Sequence, residues 1–262
     1  MNAMYNFKFS LVALALSGIT LAAAANPVLT ADVKFDDPIF NGSGSDTVRI
    51  KFPKAVGSGS SMANVAAGRF QGTASNVVGV DPGIFVDGVD DLFMYCYDIY
   101  ESISSGRTVD YTIDFNAATD RTLDFLGAVN WSMSADKNKV DPYAWLHPVN
   151  GNQGAAIQLG IWESLYDTSE NLDNVSGWNL GAGTFKASGL ENGTVNAWNG
   201  FVSAIGTSDS LESRYTMVLK ASGAQDMIAG DPPINVPEPG SLALAGLALA
   251  GLAGSRQLRR RR

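Results

Sequence analysis

Cys96 is the only cysteine in a chain of 262 residues, so no disulfide can form within the molecule. It sits in Leu92–Tyr100, a nearly unbroken apolar and aromatic run that reads as a strand covered on both faces. Alternation puts Cys96 on one face with Leu92, Met94 and Asp98, and Phe93, Tyr95, Tyr97 and Ile99 on the other. Gln158 is the second residue out of place. On a helix its same-face neighbours are Ala155, Ile161, Trp162 and Leu165, so a carboxamide projects into an apolar stripe. Left unpaired there, it would cost roughly 1–3 kcal/mol. Each residue has an ordinary reading, the thiol as a small buried hydrophobe and the amide as a group satisfied by loop backbone. One reaction removes both anomalies. The thiolate attacks the side-chain carbonyl of Gln158, ammonia leaves, and an internal Cys–Gln thioester remains. Such a bond is a far better acyl donor than an amide, and it can pass its acyl group to an amine or hydroxyl on another surface without turnover.

That chemistry needs the sulfur and the amide carbon within about 3–3.5 Å, with water excluded. Phe93, Tyr95, Tyr97 and Trp162 are the aromatics available for a dry wall. Asp98 is placed either to orient the amide and take a proton or to serve as an ordinary turn carboxylate. The elements that must position these groups are legible in outline. Thr47–Phe52 reads as a short strand, Val77–Val80 and Ile84–Val86 flank a turn at Asp81-Pro82-Gly83, and Arg107–Phe115 alternates as a strand. From about Asp120 to Tyr166 the pattern turns helical through Leu123, Leu126, Val129 and Asn130, with Asn152 as the expected N-cap of the helix that carries Gln158. After Asp167 the composition is turn-rich and β-like, with a strand at Tyr215–Lys220. The fold class is α+β, a β-rich domain with a helical insertion.

Phe93-Met94-Tyr95-Cys96-Tyr97-Asp98, followed by Ile157-Gln158-Leu159-Gly160-Ile161-Trp162-Glu163, resembles the thioester domains of bacterial surface adhesins. Those place a cysteine on an aromatic-rich strand and a Gln-x-x-Ile-Trp motif at the start of a later helix. The resemblance spans Leu92 to Asp167 and implies a thioester-domain-like fold. It makes Cys96 the thioester sulfur, Gln158 the acyl donor and Trp162 the packing residue beside them. Ile157 stands where that motif usually has threonine, so a hydroxyl hydrogen bond is missing.

Both ends read as sorting signals. Lys8, an uncharged run from Phe9 to Ala25 and then Asn26-Pro27 lay out a secretory signal peptide over residues 1–25. At the other end, a linker at 231–236 leads to Pro237-Glu238-Pro239, an uncharged Ala/Leu/Gly stretch to Ser255 and a cluster of terminal arginines. Residues 237–262 look like a PEP-CTERM sorting signal, which implies an exosortase of a Gram-negative cell as partner. Contact with the membrane is then expected only through this segment, before processing. The body, 26–230, together with the linker at 231–236 keeps twelve Lys and Arg against twenty-five Asp and Glu, a net charge of about −13 where the whole chain has −8. That balance argues against nucleic acid as a partner.

Asp81, Asp87, Asp90 and Asp91 have calcium-friendly oxygens but no EF-hand spacing, and read as a solvated acidic turn. His147 is the only histidine, too little for a zinc site or a catalytic triad. The sequons at Asn41, Asn174 and Asn192 carry no weight. No cofactor, metal or enzyme activity is expected. The leading expectation is an exported surface or matrix protein that acts as a covalent adhesin on a surface amine or hydroxyl. The alternative is a non-reactive structural or carbohydrate-binding component of the exopolysaccharide.

Overall fold

Alternation of buried and exposed positions builds the walls of a barrel in this computed structural model, which describes residues 28–167 and 177–231. The signal-peptide and sorting segments and the Asn174 sequon lie outside the described residues. Along β1 (Thr30–Phe35) the residues Ala31, Val33 and Phe35 turn inward, and along β6 (Thr108–Asp114) Val109, Tyr111 and Ile113 do the same. With β4 (Phe70–Val78), β5 (Leu92–Cys96), β8 (Thr216–Lys220) and β9 (Met227–Gly230) they close an antiparallel barrel in the order β1-β4-β5-β9-β8-β6. Strand β9 is buried at every position, because the barrel fills one face and Leu146 packs near Gly230 on the other.

A second sheet of three strands runs in the order β3 (Ser60–Gly68), β2 (Ser45–Pro53), β7 (Lys186–Ser188). Only Arg69 separates β3 from β4, so one extended stretch bends there from this sheet into the barrel. Barrel neighbours β6 and β8 are far apart in sequence. Between them lie α1 (Asp120–Met133), α2 (Gly151–Tyr166), β7 and α3 (Asn192–Ala204), which form the helical insertion. Helix α2 is its axis, buried continuously from Gly154 to Ser164 and packed on α1, α3, β2, β3 and β5. Gly160 lets α2 approach α1 so closely that a Cβ there would overlap the Phe125 ring.

Three expectations are corrected. The strand expected over Leu92–Tyr100 ends at Cys96, because the Asp98 carboxylate accepts the Tyr100 N–H at 3.2 Å and turns the chain. Helix α2 is capped by Asn150, whose side chain accepts the Gln153 N–H at 3.0 Å, while Asn152 lies inside the helix and accepts the Thr194 hydroxyl at 3.1 Å. The turn-rich region after Asp167 contains α3, which Gly193, Gly200 and several Asn and Thr residues had masked.

Candidate functional site

Strand β5 is flanked unequally. On one edge β9 follows it from Met94↔Ala229 to Cys96↔Met227. On the other edge β4 pairs only as far as Phe70↔Met94, because the chain preceding Phe70 bends away towards β3. The Cys96 N–H and C=O point to this vacated edge, since Tyr97 next along donates its N–H to Asp226 on the β9 side at 2.7 Å. Helix α2 fills the gap with one side chain. The Cys96 N–H donates to Gln158 Oε1 at 2.8 Å, and Gln158 Nε2 donates to the Cys96 carbonyl at 2.9 Å. The carboxamide stands where the next peptide group of β4 would have paired. Gln158 is fully buried and Cys96 is 2% exposed.

Burial pushes the Cys96 thiol well above its ordinary value, and the nearby Asp98 carboxylate pushes it the same way. The neutral thiol is therefore the resting form. Asp98 is itself raised to about 6 by burial, against hydrogen bonds that favour its charged form. Its Oδ2 accepts the Asp226 N–H at 2.6 Å, and its Oδ1 accepts from Tyr100. Its backbone carbonyl collects Trp162 Nε1 at 2.9 Å and Gln225 Nε2 at 3.0 Å. The loop leaving Cys96 is thus pinned to α2 and to the segment before β9.

Of the residues expected to surround Cys96 and Gln158, each has its own anchor. The Tyr95 hydroxyl donates to the Trp145 carbonyl at 3.1 Å. The Tyr97 hydroxyl accepts the Thr119 N–H at 2.8 Å at the start of α1. Trp162 anchors through Asp98 and packs beside Phe185. The structure joins the Gln158 carboxamide to the main chain of Cys96, and it holds Tyr95, Tyr97, Asp98 and Trp162 by hydrogen bonds to other groups.

The same geometry has a chemical reading. In attack by the sulfur on the Gln158 carbonyl carbon, negative charge develops on Oε1, the atom that the Cys96 N–H already addresses. The leaving nitrogen is the one held by the Cys96 carbonyl.

The discounted residues are occupied elsewhere. Asp81 caps Gly83 at 2.8 Å, Asp91 accepts from Gln71 at 2.9 Å, and Asp87 lies 3.5 Å from His147. Sequence reasoning passed over two buried charges on the helices. Arg121 donates to the Gly177 carbonyl at 2.7 Å and lies over the Trp178 ring. Glu163 accepts the Asn179 N–H at 3.0 Å, and burial raises it to about 7. The available signal was position, since each is a charge set in the apolar part of its helix.

Residues 235–261 match the model of the PEP-CTERM protein-sorting motif. The match identifies an exported protein carried to the cell surface by exosortase, as expected from Pro237, Glu238 and Pro239. No curated protein and no solved structure matches the chain.

Proposed function

We propose that the exported body is a covalent adhesin in which Cys96 and Gln158 condense to an internal thioester. The S–H and the carboxamide lose one ammonia, and an S–C(=O) bond forms. An amine on a target surface then attacks that carbonyl, an amide to Gln158 forms, and the Cys96 thiol is released; a hydroxyl would give an ester in the same way. The observation that supports this reading is the two-point contact of the Gln158 carboxamide with Cys96, at 2.8 and 2.9 Å in a buried site. Three features favour the condensation: exclusion of water, a polarised carbonyl and a thiol with no disulfide partner. The high thiol pKa opposes it, so proton removal is the demanding step, and Asp98, whose charge bears on the thiol, is the carboxylate to which this reading assigns that proton.

A second reading is favoured by one specific observation: the amide is already satisfied on both its oxygen and its nitrogen. Gln158 then serves only as a strand surrogate, and the body is a non-reactive structural or carbohydrate-binding component of the exopolysaccharide. The intact mass of the purified protein separates the two. The thioester gives a deficit of one ammonia that is absent in Cys96→Ala and replaced by the mass of methylamine after treatment with that amine. Full mass together with a free thiol in the native protein would leave the structural reading standing.

A further inference from the structure

The outer face of the three-stranded sheet carries a concentration of positive charge on an acidic body. Arg49 and Lys51 stand two apart on β2, and the register sets Arg49 against Ser188 and Lys51 directly against Lys186 on β7. Like charges opposite one another on paired strands destabilise a sheet. Here no ion pair among the described residues relieves them. Among the described residues, ion pairs form at Asp87, Glu212 and Asp114, none of them on this sheet. Among the described residues the Arg49 guanidinium hydrogen-bonds to the Met62 thioether, at 3.7 Å. These cations border a groove of about 270 Å³, with Met62 at one side and Gly181 at the other.

We infer that this groove binds a carboxylated polysaccharide, with Arg49, Lys51 and Lys186 meeting successive carboxylates along the sugar chain. The cations do not converge on a point, as a single phosphate or sulfate would require. Arg49 and Lys51 are spaced by two strand residues, roughly 6–7 Å, which suits a linear polymer with one charge per unit. Ser188 contributes a hydroxyl, and the Met62 thioether and the lysine stems offer apolar contact to the C–H faces of sugar rings. Nucleic acid fits poorly, because no aromatic side chain borders the groove to stack a base.

The test is calorimetric titration of the full protein at low salt with a galacturonic acid hexamer, its methyl ester and a hexanucleotide. The expected result is saturable binding of the acid that weakens with added salt, with no binding of the ester. Lys51→Gln/Lys186→Gln should bind the acid about tenfold more weakly. Lys186→Gln should melt no lower than wild type, because it removes a like-charge pair. Absence of saturable binding by the acid, an unchanged Kd in the double variant, or equally tight binding of the hexanucleotide would overturn the assignment.

Discussion

Gln158 does for Cys96 what a neighbouring strand does for every other interior position of a sheet: its carboxamide takes the Cys96 N–H at 2.8 Å and gives to the Cys96 C=O at 2.9 Å. The arrangement joins helix α2 to the barrel at the place where β4 leaves β5. Two consequences follow from the same contact. The helix is locked in register with the barrel, and the Gln158 carboxamide is held against the main chain of Cys96.

Removing the amide should therefore be costly whether or not it reacts. Gln158→Met keeps the volume but leaves a buried N–H and a buried C=O without partners, at roughly 1–3 kcal/mol each. A loss of roughly 2–6 kcal/mol is expected, read as a lower urea midpoint at unchanged slope. Cys96→Ala leaves the main-chain pair intact and should cost less than Gln158→Met. If the two substitutions cost the same, the main-chain pair is not what holds the helix to the barrel.

The sulfur should be unreactive in the native protein. Burial and the raised pKa suppress the thiolate at neutral pH, so maleimide should label Cys96 only after unfolding. Methylamine treatment followed by labelling in denaturant distinguishes an inert thiol from a thioester, because the inert thiol labels with or without the amine, whereas the thioester sulfur labels only after the amine has released it. Rapid labelling of untreated native protein would contradict both the burial and the thioester.

Much of this site was legible from two residues that did not suit their surroundings, a lone cysteine and an amide on an apolar helix face. The strands β2 and β6 were legible too, since period-two alternation placed their centres within a residue or two of Ser45–Pro53 and Thr108–Asp114. What was not legible depends on distant pairing. Closure of the barrel comes from β1 meeting both β4 and β6, and nothing local in Thr30–Phe35 announces two partners. That Gln158 would meet the main chain of Cys96 rather than its sulfur was hidden for the same reason, because that main chain is free only where β4 turns away. Helix α3 carried a signal in Trp198, Phe201, Val202 and Ile205 at helical spacing, but poor helix formers around them outweighed it.

Sorting should depend on the triplet at the membrane boundary. Replacing Pro237-Glu238-Pro239 with alanines is expected to leave export intact and to trap the protein in the inner membrane with an uncut tail, as seen by fractionation and by the mass of the C-terminal peptide. Release at the wild-type level would show that exosortase does not read this triplet.

The closest helix contact in the core should tolerate no added carbon. Gly160→Ala drives a methyl group into the Phe125 ring, which is itself stacked on Trp178 with centroids 5.3 Å apart. Overpacking of this kind costs about 1–3 kcal/mol. Adding Phe125→Leu should recover part of that loss, and a double-mutant cycle in urea would give a coupling well outside additivity. Additive effects would mean that the two helices separate freely.

Glu163 makes a pH dependence that can be signed in advance. Its folded-state value is raised to about 7, first by burial, so between roughly pH 4.5 and 7 the folded protein holds a proton that the unfolded chain has already released. Stability from this group is then present at the acid end and declines as pH rises through that window, at no more than about 1.4 kcal/mol per pH unit. Asp114, lowered chiefly by its hydrogen bond from Lys220, acts in the opposite sense at more acid pH. Glu163→Gln isolates the effect, because the amide oxygen can still accept the Asn179 N–H that holds Oε1 at 3.0 Å. The variant should match wild type near pH 4.5 and exceed it in urea midpoint at pH 8. Parallel stability curves for the two proteins across this range would show that Glu163 ionises in the folded state as it does in the unfolded chain.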